Sequence, residues 1–164
     1  MPTDLIIIVS SLCFSAFFSG MEIAYVSANK IHIEIEKKQK GLLSNLLAKI
    51  TSKPSKFIAT MLIGNNIALV VYGLYMGDIL VTYFTDYITT SNPILHYVFV
   101  ELSLLTQTLI STLIILVTAE FLPKVFFQIY ANSLLKLFSF PAYFFHTLFT
   151  FISKSLFINI VEGP

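Results

Sequence analysis

Apolar positions fall into three long runs, over residues 5–26, 57–84 and 95–122, with a more broken fourth run closing the chain. Each of the three reaches the ~20 apolar residues needed to cross the ~30 Å hydrocarbon core of a bilayer. They predict spans at about 5–27, 56–84 and 95–122. Between the first two the pattern reverses. Ile31, Ile33 and Ile35 alternate with His32, Glu34 and Glu36, which alone suggests a short strand. Leu42, Leu43, Leu46, Leu47 and Ile50 then repeat at helical spacing, so helix is predicted through most of 30–52. That segment is expected to lie along the membrane face with its lysines outward. After Lys124, residues 125–160 carry Lys136 and Lys154 in an aromatic, mildly amphipathic stretch. It is expected as further interfacial helices, with a fourth span over 141–160 as the alternative.

Composition agrees with the pattern. Hydrophobic residues make up 56% of the 164 and charged residues 12%, against ~25% charged in soluble domains. The fold class expected is therefore an all-α membrane protein: a single transmembrane domain over 1–164 embedded in a lipid bilayer. All ten basic residues are lysines, and seven of them lie between Lys30 and Lys56. A short lysine-rich loop stays cytoplasmic, which predicts a multi-pass protein of the cell membrane with its N-terminus outside. The net charge of +1 gives no sign of a nucleic-acid partner. The lone Cys13 excludes a disulfide framework. Asp4 and the lack of a basic leading segment argue against a cleaved signal peptide. No Ser-His-Asp set or phosphate-binding loop is visible, so an enzyme is not expected.

Polar residues inside the runs carry the candidate chemistry. Glu120 follows an uncharged stretch from Leu102 to Val117 and sits near membrane depth. An ionisable group there costs ~2.5–3.5 kcal/mol on insertion scales and marks a functional site by default. Pro123 lacks an N–H and clashes with the carbonyl four residues earlier, that of Ala119, leaving oxygen free beside the acid. The alternative is a helix-end glutamate reaching for the interface, with Pro123 ending the helix. Ser11, Ser15 and Ser19 recur every four residues on one face with Glu22 three beyond. They read either as a small-residue packing seam or as ligands. Asn65 and Asn66, after Gly64, read either as interhelical hydrogen-bonding groups or as ligands. Gly73 and Gly77 form a GxxxG packing step. A carboxylate with hydroxyl, amide and backbone oxygens is a hard-cation set, and Mg²⁺ takes six oxygens at ~2.0–2.1 Å. No His/Cys cluster suits zinc, copper or iron.

Three ordered motifs then resemble one family. Ser15-Ala-Phe-Phe-Ser19-Gly20-Met21-Glu22 with Asn29, Leu62-Ile63-Gly64-Asn65-Asn66, and Glu120-Phe121-Leu122-Pro123-Lys124 are similar to the three helix signatures of the CorC/cyclin M magnesium transporters. The resemblance implies three transmembrane helices with juxtamembrane cytoplasmic helices, in a homodimer. It implies Mg²⁺ efflux with Na⁺ entry as the coupled flow. A Mg²⁺-sensing membrane anchor and a passive divalent-cation channel are the alternatives. It maps the metal site onto Ser15, Ser19, Asn65 or Asn66, and Glu120, with backbone oxygen near Gly64. Glu22, Pro123 and Lys124 are implied as coupling-ion or structural residues. Family members continue into a cytoplasmic CBS-domain pair that binds ATP. This chain stops at Val161-Glu162-Gly163-Pro164 with no soluble fold, so a longer natural protein is expected. Met21 and Ala119 depart from the signatures, where a small residue (commonly Ser) and Gly are usual.

Overall fold

The computed structural model describes residues 2–87 and 92–161, and the side chains of 3–85 and 92–152. Nine α-helices run in chain order among them: α1 Pro2–Ser27, α2 Lys30–Lys37, α3 Leu42–Thr51, α4 Pro54–Tyr87, α5 Pro93–His96, α6 Ser103–Ile115, α7 Leu122–Ile129, α8 Ala131–Leu137 and α9 Ser139–Val161. Two π-helical stretches, Tyr97–Glu101 and Leu116–Phe121, flank α6. No strand occurs among the described residues. The chain is an all-α membrane protein, because three helices are long and apolar enough to cross: Thr3–Ser27, Pro54–Thr85 and Ser103–Ile129. The α8–α9 pair is bent by 63° and counts as a fourth crossing if taken as one unit.

The isoleucine alternation at 31–35 forms helix, because Asn29 caps α2. Its side chain accepts from the backbone N–H of Ile31 (2.9 Å) and His32 (3.3 Å), as an N-cap should. Ile33 then turns into the core while Ile31 and Ile35 stay exposed. Similarly, Asn92 caps α5, with Pro93 in the first turn where no N–H is required.

Helix α1 is the centre of the molecule. It packs against α4 along much of its length, and against the Leu116–Phe121 stretch, α7 and α8. Phe18, Met21, Ala24, Phe57, Met61, Phe127 and Leu135 form part of one buried core. Aromatic rings pack in and around it, with Phe18 edge-on to Phe145 at 4.9 Å and Phe127 stacked on Phe138 at 5.6 Å.

The lysine-rich segment is tied to α8 and α9 by three polar contacts. The backbone N–H of Asn29 donates to Asn132 Oδ1 (2.9 Å). Lys136 Nζ lies 2.5 Å from Glu36 Oε2. Ser139 Oγ reaches the carbonyl of Leu43 at 3.4 Å. Glu36 is buried to 9% exposure and is also held by Gln39 (3.2 Å). The Lys136 ammonium holds the Glu36 carboxyl below its ordinary range, against the opposing pull of desolvation.

Candidate functional site

Hydroxyls on a helix ordinarily turn back to the carbonyl four residues earlier. Thr60, Thr108 and Thr118 do so here, at 2.6–2.8 Å. The serines of α1 do otherwise. Ser11, Ser15 and Ser19 are all buried on the face that meets the other helices. Ser15 Oγ donates across to Asn65 Oδ1 of α4 at 2.7 Å. Asn65 lies eleven residues after Pro54, about 17 Å into its span at 1.5 Å per residue, so this hydrogen bond is made well inside the membrane.

Ser19 is 0% exposed, and its hydroxyl oxygen has no hydrogen-bond partner among the described residues. A buried polar group left unpaired costs ~1–3 kcal/mol, and each such group requires an explanation. Two close approaches frame it. Gly64 lies under the Phe18 ring, where an added Cβ would meet ring carbons at 2.6 Å. Gly20 lies under the Phe127 ring, where the corresponding distance is 2.5 Å. Both glycines are present because an aromatic ring occupies the space a side chain would need.

The third span carries Glu120 seven residues before Phe127, whose ring sits against Gly20 of α1. Glu120 belongs to the π-helical Leu116–Phe121 stretch, which packs on α1. The N–H of Leu122 bonds there to the carbonyl of Val117, five residues back. Pro123 therefore does not end the helix. Its missing N–H is accommodated by a wider turn, and the helix continues as α7 to Ile129. The Glu120 side chain is 32% exposed, with Oε2 at 3.6 Å from Lys124 Nζ.

The residues singled out in the sequence thus divide. Ser15 and Asn65 meet at the α1–α4 contact, Gly64 packs there against Phe18, Ser19 is buried one turn beyond Ser15 on α1, and Glu120 stands on the neighbouring stretch. It makes no hydrogen bond to them. Asn66 is exposed, about 100° round α4 from the buried Asn65. Glu22 is half-buried on α1 and makes no hydrogen bond to Ser19. No group of three or more His, Cys, Asp or Glu side chains suited to a metal occurs among the described residues. Any cation held here would be held mainly by hydroxyl, amide and backbone oxygen. Sequence reasoning missed the Phe18 and Phe127 caps, which only the positions of Gly64 and Gly20 beside motif serines and amides hinted at.

The family model for the cyclin M transmembrane N-terminal domain matches residues 5–162, nearly the whole chain. The chain belongs to the cyclin M family. A comparison with curated proteins gives no match. In this cyclin M domain Met21 and Ala119, which stand where the resemblance implies a small residue and Gly, are each 0% exposed. Met21 is in the core beside Phe18 and Phe57. Ala119 is the buried residue of the π-helical stretch, adjacent to Glu120.

Proposed function

We propose that this cyclin M domain carries Mg²⁺ across the membrane, outward, with Na⁺ entry as the driving flow. The unpartnered hydroxyl of Ser19, one turn from the Ser15–Asn65 hydrogen bond, is the observation that most supports this reading. Ser15, Ser19 and Asn65 would supply neutral oxygens, the backbone near Gly64 another, and Glu120 the one negative charge. Retained water would complete the six positions that Mg²⁺ demands. Ser15 gives its proton to Asn65, which leaves both lone pairs of its own oxygen free to ligate. Lys124, i+4 from Glu120, would offset the carboxylate when no ion is present and yield to the cation when one arrives.

Single π-helical turns within α-helices occur frequently at functional sites, and Glu120 is carried on such a turn. Pro123 would hold that turn, while Glu22 would serve the coupling ion or brace the Ser19–Gly20 segment. The homodimer is likewise a proposal. Asn66, an exposed amide deep within its span with no hydrogen-bond partner among the described residues, supports a second copy covering that face of α4.

Thermal unfolding in detergent under a Mg²⁺ titration tests the site. A ligand at 100 times its Kd stabilises the native state by ~2.7 kcal/mol. The parent is expected to rise in Tm with Mg²⁺, and Ser19→Ala to need a higher Mg²⁺ concentration for the same rise. A Ser19→Ala protein with an unchanged Mg²⁺ response would remove the observation on which the site rests.

A further inference from the structure

A cavity of about 480 Å³ lies where α1 ends and α4 begins, away from the Ser15–Asn65 contact. Lys30, Lys37 and Glu34 of α2 line it together with Val26, Ile33 and Pro54. Its depth is fixed by the chain itself. Val26 is next to last in the first span and Pro54 is the first residue of the second, so the cavity sits where two spans leave the hydrocarbon.

Its charges do not cancel. Lys37 Nζ is paired with Glu34 Oε1 at 2.6 Å, whereas Lys30 makes no ion pair among the described residues. One positive charge is left over, beside apolar walls. We propose that this cavity holds the anionic phosphodiester headgroup of a phospholipid. The phosphate would lie on Lys30 and the glycerol end against Val26 and Ile33. A single phosphodiester charge neutralises the cavity. Free inorganic phosphate shares the anionic chemistry but would leave the apolar wall uncovered and would carry more charge than the cavity offers. Basic pockets at the ends of transmembrane helices bind anionic headgroups on these terms.

The test is native mass spectrometry of the full chain in mild detergent, offered equal amounts of phosphatidylglycerol and phosphatidylcholine with identical acyl chains. One uncompensated lysine predicts roughly a fivefold preference for phosphatidylglycerol. Lys30→Gln is expected to bring that ratio near one, and Glu34→Gln to raise it by freeing Lys37. Both residues are exposed, so neither change threatens the fold. Lys38→Gln and Lys40→Gln, exposed lysines outside the cavity, are expected to leave it unchanged. Equal binding of the two lipids by the parent would overturn the proposal. So would loss of the preference in Lys38→Gln as large as in Lys30→Gln. Displacement of phosphatidylglycerol by millimolar inorganic phosphate would overturn the lipid assignment in favour of a free anion.

Discussion

At the scale of single residues, charge and phase decide what each candidate does. Glu120→Gln keeps size and one oxygen but removes the charge, and a neutral amide is cheaper to hold at membrane depth. Its Tm without ion is expected to hold or rise while the Mg²⁺-dependent rise disappears. Isothermal titration calorimetry with MgCl₂ checks the loss of binding directly, and undiminished binding would return Glu120 to the role of a helix-end residue reaching for the interface. Asn65→Ala is expected to weaken Mg²⁺ binding more than Asn66→Ala does, since only Asn65 turns toward Ser15. The sequence could not choose between these two amides. Adjacent residues on a helix differ by about 100° in direction, and which one faces α1 depends on how α4 is rotated. The serine stripe was legible because its four-residue spacing fixes one face wherever the helix is turned. The unpaired state of Ser19 was not, since it depends on what the packed neighbours place opposite its hydroxyl.

At the scale of elements, the π-helical stretch is the feature that chain pattern concealed. An apolar run ending in Glu120 and Pro123 reads equally as a helix that stops there, and only the backbone shows a wide turn leading into α7. Replacing Pro123 with Ala restores an N–H and removes the ring clash that favours the wide turn. Pro123→Ala is expected to keep or raise stability without ion and to weaken Mg²⁺ binding, because Glu120 rotates as the turn tightens. Calorimetry and thermal unfolding on the same sample separate the two effects, and unchanged affinity would show that the turn does not set the position of Glu120.

The contact between α2 and α8 was equally hidden. Glu36 in a lysine-rich segment reads as solvated, and its partner Lys136 lies a hundred residues later. Since the native carboxyl pKa is lowered from 4.5, its contribution is complete above that value and is lost as pH falls through the lower native one. The stability difference between the parent and Lys136→Gln is therefore expected to be full at pH 7 and to close below about pH 4.5. A pH-independent difference, measured by thermal unfolding, would assign the effect of Lys136 to packing alone.

At the scale of the whole molecule, the lysine asymmetry predicts that single cysteines at Lys38 and Asp86, in a Cys13→Ala background, label from opposite sides of the membrane. Labelling of both from one side would refute the three-span topology. Cross-linking in nanodiscs is expected to trap a closed two-fold pair, the commonest symmetry for oligomers, and a strictly monomeric mass would contradict it. Three apolar runs and one lysine-rich segment were enough to anticipate an all-α bundle, since bilayer thickness alone dictates helix length. How α1 becomes its centre was not legible, because the serine stripe marks which face of the first run is buried but not which helices cover it. The most direct test of the account is Mg²⁺ flux in sealed vesicles containing the purified chain and an internal Mg²⁺-sensitive dye, under imposed Na⁺ gradients. Coupled exchange at this site gives Mg²⁺ movement opposite to the Na⁺ gradient in the parent and none in Glu120→Gln; no movement by the parent under any gradient would rule it out.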